Sequence, residues 1–206
     1  MLQMLAATTN KNKVREFQEI LKDLKDKINI ITTDAIPNFP EIVEDGTTFA
    51  ENAMKKAKEA SAFADMVAMA DDSGLVVEAL DGAPGIHSAR YAGEGASDAD
   101  RIAKLLKAMD GVTDRSAKFV CAAAIAYRGE EVKTFIGEIK GKITLAPSGS
   151  NGFGYDPVFI PEGFEKTFAE LTDEEKNAVS HRGRAMSAVA DFLRDEFSKM
   201  DDFEFV

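Results

Sequence analysis

The sequence contains little cysteine, no tryptophan and no long apolar run. Cys121 is the only cysteine in 206 residues, so an intrachain disulfide is excluded. Its apolar surroundings favour a buried thiol over a nucleophile. No apolar run reaches the length of a membrane span, and the N-terminus lacks the basic and apolar regions of a signal peptide. We therefore expect a cytoplasmic protein that has no membrane partner.

Positive charge is also scarce. Lys and Arg together number 25 against 36 Asp and Glu, which gives a formal net charge of -11. Such a surface should repel nucleic acid and anionic membranes, so we expect neither as a partner. A phosphate ligand remains possible where lysines, a helix N-terminus and a divalent cation make one cleft locally positive.

Several familiar catalytic motifs are missing. The sequence has no Walker lysine loop, no paired-glycine dinucleotide fingerprint and no Gly-x-Ser-x-Gly nucleophile elbow. The two histidines, His87 and His181, are far apart in sequence, and Cys121 stands alone, so no zinc-ligand spacing is present. Ser73 has no histidine nearby in sequence that could activate it.

What the sequence does contain is an alternation of apolar runs and helix starts. Its length and its 45% of hydrophobic residues predict one α/β domain over residues 1–206. Apolar runs predict strands at residues 2–7, 28–32, 66–70, 118–127, 131–139 and 158–160, and residues 75–77 are also apolar. Capping residues predict helix starts at Thr9 or Asn10, at a Thr48–Glu51 capping box, at Ser97, at Thr172 and just after Ser180-His-Arg182.

The stretch Met69-Ala-Asp-Asp-Ser-Gly-Leu75 is the most informative one. It follows an apolar run, so the pattern predicts two carboxylates at the carboxyl end of a buried strand, where ligands collect in α/β sheets. Adjacent Asp71 and Asp72 would repel each other unless a cation, a backbone amide or a protonation change relieves them. Taken alone, the stretch is better explained as a turn, for which Asp, Ser and Gly are common residues.

Other polar stretches have two interpretations each. Thr8-Thr-Asn-Lys-Asn-Lys13 lies between a strand and a helix, which suits either an anion site or a capped helix with solvated lysines. Lys56 follows the acidic loop that carries Glu44, and such a lysine usually lies on a solvated face. Phe153 has a glycine on each side, which favours a ring open to a ligand over the commoner core position.

Together these groups suit a magnesium-bound polyphosphate that carries a flat base. Magnesium prefers one or two carboxylates with phosphate and water oxygens. Dispersed lysines would neutralise the phosphates, and an open aromatic ring can stack on a base, a contact worth about 1–3 kcal/mol in nucleic-acid binders.

The chain resembles the inosine triphosphatase (Ham1-like) family, the noncanonical purine nucleoside triphosphate pyrophosphatases. Each motif is weak alone, but they occur in family order over residues 8–182 and together are specific. The matching pieces are Thr8-x-Asn10-x-x-Lys13, Glu44-Asp-Gly-Thr-Thr-Phe-Ala-Glu-Asn-Ala53 with Lys56, Ala70-Asp-Asp-Ser-Gly-Leu75, Pro84-Gly-Ile-His-Ser-Ala-Arg90, Gly152-Phe-Gly-Tyr-Asp-Pro157, Lys176 and Ser180-His-Arg182.

The resemblance implies hydrolysis of ITP, dITP and XTP to the nucleoside monophosphate and pyrophosphate, with Mg²⁺ as cofactor. It also implies an elongated mixed sheet flanked by helices, two lobes with the substrate cleft between them, and a homodimer. By the same resemblance, Asp72 would be the general base and lie near the metal, Glu44 would be a metal ligand, and Asp71 would orient or support the turn. The substrate contacts implied are Thr8, Thr9, Asn10, Lys11, Asn12, Lys13, Lys56, Ser73, Phe153, Gly154, Tyr155, Asp156, Lys176, His181 and Arg182.

Two alternatives remain open at the level of sequence. One is a phosphohydrolase that releases orthophosphate from the γ position, or a Maf-like pyrophosphatase that acts on modified pyrimidine or standard nucleotides. The other is a nucleotide sensor without turnover, which the intact carboxylate set disfavours, because carboxylates beside a phosphate site are costly without a metal.

Overall fold

Six strands form one mixed sheet in the computed structural model, which describes the backbone of residues 1–203 and the side chains of residues 1–199. The strand order is β2-β1-β3-β4-β5-β6. β1 runs parallel to β2 and β3, and the pairs from β3 to β6 are antiparallel. The strands are β1 (Leu2–Ala6), β2 (Ile28–Thr32), β3 (Val67–Val77), β4 (Ser116–Tyr127), β5 (Glu130–Ile143) and β6 (Phe159–Pro161).

Five α-helices in the described residues flank the sheet: α1 (Lys11–Ile20), α2 (Phe49–Ala64), α3 (Asp98–Ala108), α4 (Asp173–Val179) and α5 (His181–Phe203). One face of the sheet packs against α1 and α5 through a core that includes Phe17 and Met186. The other face packs against α2, where alanines on both sides allow a close approach. A third core, around Phe159 and Phe168, lies toward the β6 end. The predicted mixed sheet flanked by helices is confirmed.

Most predicted helix starts are confirmed by their hydrogen bonds. Asn10 caps α1, and Ser97 and Thr172 form reciprocal capping boxes at α3 and α4. The box predicted at α2 is only half present. The Thr48 hydroxyl accepts from the Glu51 amide at 3.1 Å, but the Glu51 carboxylate accepts from the amide and hydroxyl of Thr47, both at 2.7 Å.

The strand end predicted at Ala70 is wrong. β3 continues through the apolar residues 75–77 to Val77, so Asp71 and Asp72 lie inside the strand and not after it. Along its whole length β3 pairs with β4, whose small side chains Ala122 and Ala123 stand opposite the two aspartates. Polar residues can remain in the strand because β1 ends at Ala6 and leaves the other edge of β3 open.

The last helix begins earlier than predicted, so His181 and Arg182 form its first turn instead of preceding it. That turn lies directly on β5 at Gly137. A Cβ at Gly137 would meet the His181 carbonyl oxygen at 2.1 Å and the Ala185 nitrogen at 2.6 Å. Glycine is therefore required at this position for the first turn of α5 to reach the sheet.

Cys121 is fully buried, and burial raises the pKa of its thiol, which confirms the prediction of an inert structural cysteine. No helix in the described part of the chain has the length and apolar character that a membrane crossing requires.

Candidate active site

A cleft opens at the edge of β3 that β1 leaves unpaired. β1 pairs with β3 only at Val67, Ala68 and Met69, and β3 then has no strand partner on this side until an isolated bridge joins Val76 to Pro84. Further along, the Ser88 hydroxyl accepts from the Leu75 amide at 2.9 Å and so closes the other end of the gap. The cavity has a volume of about 930 Å³, which is enough for a nucleotide-sized ligand.

Asp71 and Asp72 point to opposite faces of the sheet, since successive side chains alternate along a strand. Asp71 faces α1 and α5, where Lys13 Nζ lies 3.0 Å from Oδ1 and Arg182 Nε lies 3.2 Å from Oδ2. Asp72 faces α2, where Asn52 Nδ2 donates to Oδ2 at 2.9 Å. The repulsion expected between adjacent aspartates is therefore avoided by strand geometry.

Asp71 organises the cationic side chains. Its carboxylate is fully buried, and although burial opposes its charge, Lys13 and Arg182 hold its pKa well below the usual range. Its carbonyl oxygen, on the edge that lacks a strand partner, accepts from Lys56 Nζ at 2.7 Å and from Lys13 Nζ at 3.4 Å. One residue thus gathers three cations at the edge of the cleft.

Asp72 and Glu44 form a separate pair of carboxylates. Burial raises the pKa of Asp72, Lys56 opposes that shift, and the charge of Glu44 raises the pKa further. Glu44 itself pairs with the Lys56 ammonium. Among the described residues no group of three or more His, Cys, Asp or Glu side chains could hold a metal ion. Two carboxylates are nonetheless the protein share of a typical magnesium site, in which water and substrate phosphate supply the other ligands.

A buried ion-pair network joins α1 to α4 and α5. Glu16 pairs with Lys176 at 3.1 Å and with Arg182 at 2.5 Å, and Lys176 pairs with Asp156 at 2.7 Å. Although burial opposes its charge, Arg182 and Lys176 lower the pKa of Glu16. Our sequence analysis missed Glu16. The signal that could have found it is its place on the buried face of α1, one turn after Lys13 and next to Phe17.

A glycine-rich loop, residues 152–157, which we call the glycine loop, places Phe153 over this network. Its ring is half-buried and lies 4.7 Å from Lys176 Nζ and 5.6 Å from Arg182 Cζ. Tyr155 and Asp156 line the same cleft, but their polar atoms bond within the protein. Tyr155 Oη donates to the Ser88 carbonyl at 3.0 Å, and Asp156 Oδ2 accepts from the Phe153 amide at 2.9 Å.

His181 lies in the cleft wall as a neutral imidazole. Burial, with the charges of Arg182 and Lys176, holds its pKa well below the usual value. The ring stacks on Phe119 with centroids 4.6 Å apart. Its Nδ1 is buried and has no hydrogen-bond partner within the described structure.

The structure places nearly all predicted site residues on this one cleft. Glu44, Asp72 and the predicted substrate contacts line it, except Lys11, which is exposed at the start of α1. Sequence analysis missed three further residues besides Glu16. Asn52 holds Asp72, and Asp98 and Arg101 line the cleft from the start of α3. Asp98 and Arg101 resemble ordinary helix-start residues in sequence, and Asn52 lies inside a helix pattern.

A mixed α/β sheet with a nucleotide-sized cleft, paired carboxylates and clustered lysines defines a protein built to hold a polyphosphate. The Ham1 family model matches residues 4–192, and the chain belongs to this family.

Named relatives and a solved structure support this family assignment. The chain is 51% identical to "dITP/XTP pyrophosphatase" of Desulfotalea psychrophila over 90% of this chain and 82% of that one. It is 48% identical to "dITP/XTP pyrophosphatase" of Geobacter sulfurreducens over 94% of this chain and 97% of the relative. The solved HAM1 protein from Coxiella burnetii matches with a TM-score of 0.86 and 42% identity, over 95% of this chain and 100% of that chain.

Proposed function

We propose that this protein hydrolyses noncanonical purine nucleoside triphosphates, namely ITP, dITP and XTP, to the monophosphate and pyrophosphate, and so removes them from the nucleotide pool. The observation that carries this proposal is that Asp72 and Glu44 line the same cleft as Lys13, Lys56 and Lys176. The names of relatives up to 51% identical, such as the one from Desulfotalea psychrophila, support the choice of substrates.

The triphosphate would bind at the β1–α1 loop and the lysines around β3. Thr8, Thr9, Asn10 and Asn12 line the cleft at the N-terminus of α1, where the helix dipole favours an anion. Lys13 and Lys56 would neutralise phosphate oxygens beside it, and Ser73 could donate its hydroxyl. Phosphoryl transfer depends mainly on such positioning and charge neutralisation.

Asp72 would act as the general base. Water is a poor nucleophile at neutral pH, so a nearby carboxylate must accept its proton during attack on the α phosphorus. Asn52 Nδ2 and the Ser73 amide, each 2.9 Å from an Asp72 oxygen, fix the orientation of the carboxylate. Pyrophosphate then leaves with its charge balanced by the lysines.

Glu44 and Asp72 would hold Mg²⁺, and their pairing across one cleft fits this ion. When bound, Mg²⁺ would supply charge neutralisation at the phosphates and help to orient the water.

The purine would stack on Phe153 and present its 6-oxygen to His181. A neutral imidazole can donate one hydrogen bond, and Nδ1 of His181 has no partner in the described structure. Backbone amides in the first turn of α5 are further donors at this place. An adenine amino group would leave such donors unpaired, which would disfavour ATP.

The resemblance also supports a cytoplasmic location and a homodimer. Light scattering of the purified protein would test the homodimer. A monomer at all accessible concentrations would contradict the dimer without affecting the proposed reaction.

A substrate panel tests the proposed function. ITP, XTP, dITP, ATP and modified pyrimidine triphosphates are incubated with the protein and Mg²⁺, and pyrophosphate and orthophosphate are measured separately. We expect pyrophosphate from ITP, dITP and XTP at rates well above that from ATP. Orthophosphate as the first product, or equal rates on ATP and ITP, would contradict the proposal, and tight ITP binding without any product would indicate a nucleotide sensor.

A further inference from the structure

The start of α3 is bonded directly to the glycine loop that carries Phe153. The Gly154 amide donates to Asp98 Oδ2 at 2.7 Å, across 56 residues of sequence. The other oxygen of Asp98 pairs with the Arg101 guanidinium. Asp98 and Arg101 both line the cleft, and the reaction proposed above uses neither of them.

The Arg101 side chain is also held by hydrogen bonds to the backbone. Its Nη1 donates to the carbonyl oxygens of Ala89 at 2.7 Å and Ala96 at 2.9 Å, so it joins the segment before α3 to the helix. Its side chain is 19% exposed, against 42% for Asp98. The firmly held arginine therefore orients the more exposed carboxylate toward Gly154.

Asp98 is not needed to cap α3. The helix is capped by Ser97 and Asp100, whose side chains bond each other's backbone amides in a complete capping box. The Asp98 carboxylate is therefore available to accept the hydrogen bond from the loop. Asp98 and Asp100 thus have different roles in the same helical turn.

The loop needs bonds from outside because its glycines contribute no side chains. Gly154 has a φ of +64°, a conformation that glycine adopts without strain. Its neighbours are held by Asp156, which bonds the Phe153 amide, and by Ser88, which accepts from Tyr155. The Asp98 bond holds the residue between them, directly after Phe153.

We propose that Asp98 is a positioning residue that sets the orientation of the Phe153 ring through the Gly154 amide, and that Arg101 holds Asp98 for this task. The inference rests on the proposed function only in that Phe153 is taken as the stacking surface for the purine.

Kinetics provide the first test. Base stacking is made equally in the bound substrate and in the transition state, so Asp98→Ala should raise KM for ITP by about tenfold and change kcat by less than about twofold. Asp98→Asn retains an acceptor for the Gly154 amide, and its KM should lie between those of the wild type and Asp98→Ala. Asp100→Ala is the matched control, because it weakens the helix start without touching the loop, and its KM should not change. Equal effects of Asp98→Ala and Asp100→Ala on KM would overturn the proposal.

A second test needs no turnover. The chain has no tryptophan, so Phe153→Trp places a single fluorescent reporter on the loop. In that background Asp98→Ala should raise the acrylamide quenching constant about twofold, because a loop that has lost its bond samples more exposed conformations. Adding Asp100→Ala should leave quenching unchanged. No change with Asp98→Ala would overturn the positioning role, whereas failure of the proposed function would appear as no pyrophosphate from any triphosphate.

Discussion

The two faces of β3 beside the cleft use the same residue type in opposite ways. On the face toward α1 and α5, the three carboxylates of Asp71, Glu16 and Asp156 meet the three cations of Lys13, Lys176 and Arg182. On the face toward α2, Asp72 and Glu44 share only Lys56. On the first face carboxylates and cations are equal in number, although burial still raises the pKa of Asp156. The second face has one carboxylate more than it has cations, so it retains negative charge that a bound cation can balance.

This difference shows that burial alone does not determine the state of an aspartate. The pKa of Asp71 is lowered because two cations outweigh its burial. The pKa of Asp72 is raised because burial and Glu44 outweigh Lys56. We infer that the first face maintains the structure of the site and that the second carries out the chemistry. The predictions that follow test this division.

The largest effect should come from Asp72→Asn. Removing the general base should lower kcat for ITP by about 10²–10⁴-fold, because the amide cannot accept the proton of water. ITP should still bind, and the melting temperature should stay within a few degrees of the wild type. Steady-state kinetics, isothermal titration with ITP and thermal unfolding measure the three quantities. Retained turnover would refute the role of Asp72.

Asp71→Asn should instead affect folding. Lys13 and Arg182 would lose their buried counter-charge, which should lower the free energy of unfolding by about 3–5 kcal/mol. Urea denaturation measures this change. Comparison with Asp72→Asn gives the control at the neighbouring position, and equal stabilities of the two variants would contradict the division between the faces.

Glu16→Gln should have a smaller structural effect. The amide oxygen can still accept a hydrogen bond from Lys176 or from Arg182, but the amide NH₂ group would face the other cation and the side chain carries no charge. We therefore expect a loss of about 2 kcal/mol in unfolding free energy. KM for ITP should also rise, since both cations lie under Phe153. The matched control is Glu19→Gln on the same helix, whose exposed pair with Lys22 should contribute little to stability because solvent screens it. Indistinguishable urea curves for the two variants would rule out a structural role of the buried network.

The smallest effect should appear in the pH dependence of stability. The pKa of His181 in the folded protein is held well below its ordinary value of 6.5. The unfolded chain takes up a proton there as pH falls below that value while the folded protein does not, so stability should decrease in this range. His181→Phe keeps the stacking on Phe119 and should flatten the decrease. His87→Gln removes the other histidine and should not, and an unchanged slope in His181→Phe would contradict the buried neutral state.

Much of the fold could be predicted because the sequence signals of strands and helix starts are local. The apolar runs of β1, β2 and β4 and the caps Asn10, Ser97 and Thr172 each depend on a few neighbouring residues. The end of β3 was misjudged because polarity normally ends a strand. The deciding fact, that β1 stops at Ala6 and opens one edge, is a long-range one.

Most of the proposed site residues that line the cleft belong to recognisable motifs, so the sequence could single them out. Glu16 and Asp98 were missed because their partners are distant in sequence. Glu16 bonds Arg182 across 166 residues, and Asp98 bonds Gly154 across 56. On a helix, each looks like a solvated carboxylate. The division of roles between Asp71 and Asp72 had no geometric basis in the sequence, since strand alternation separates their side chains only once residues 71 and 72 are known to be inside a strand.

Hydrolysis of ITP in water labelled with a heavy oxygen isotope tests the central claim most directly. If water activated at Asp72 attacks the α phosphorus, mass spectrometry should find the label in inosine monophosphate, the pyrophosphate should be unlabelled, and Asp72→Asn should slow the formation of both products equally. Label in pyrophosphate or in orthophosphate would contradict the account.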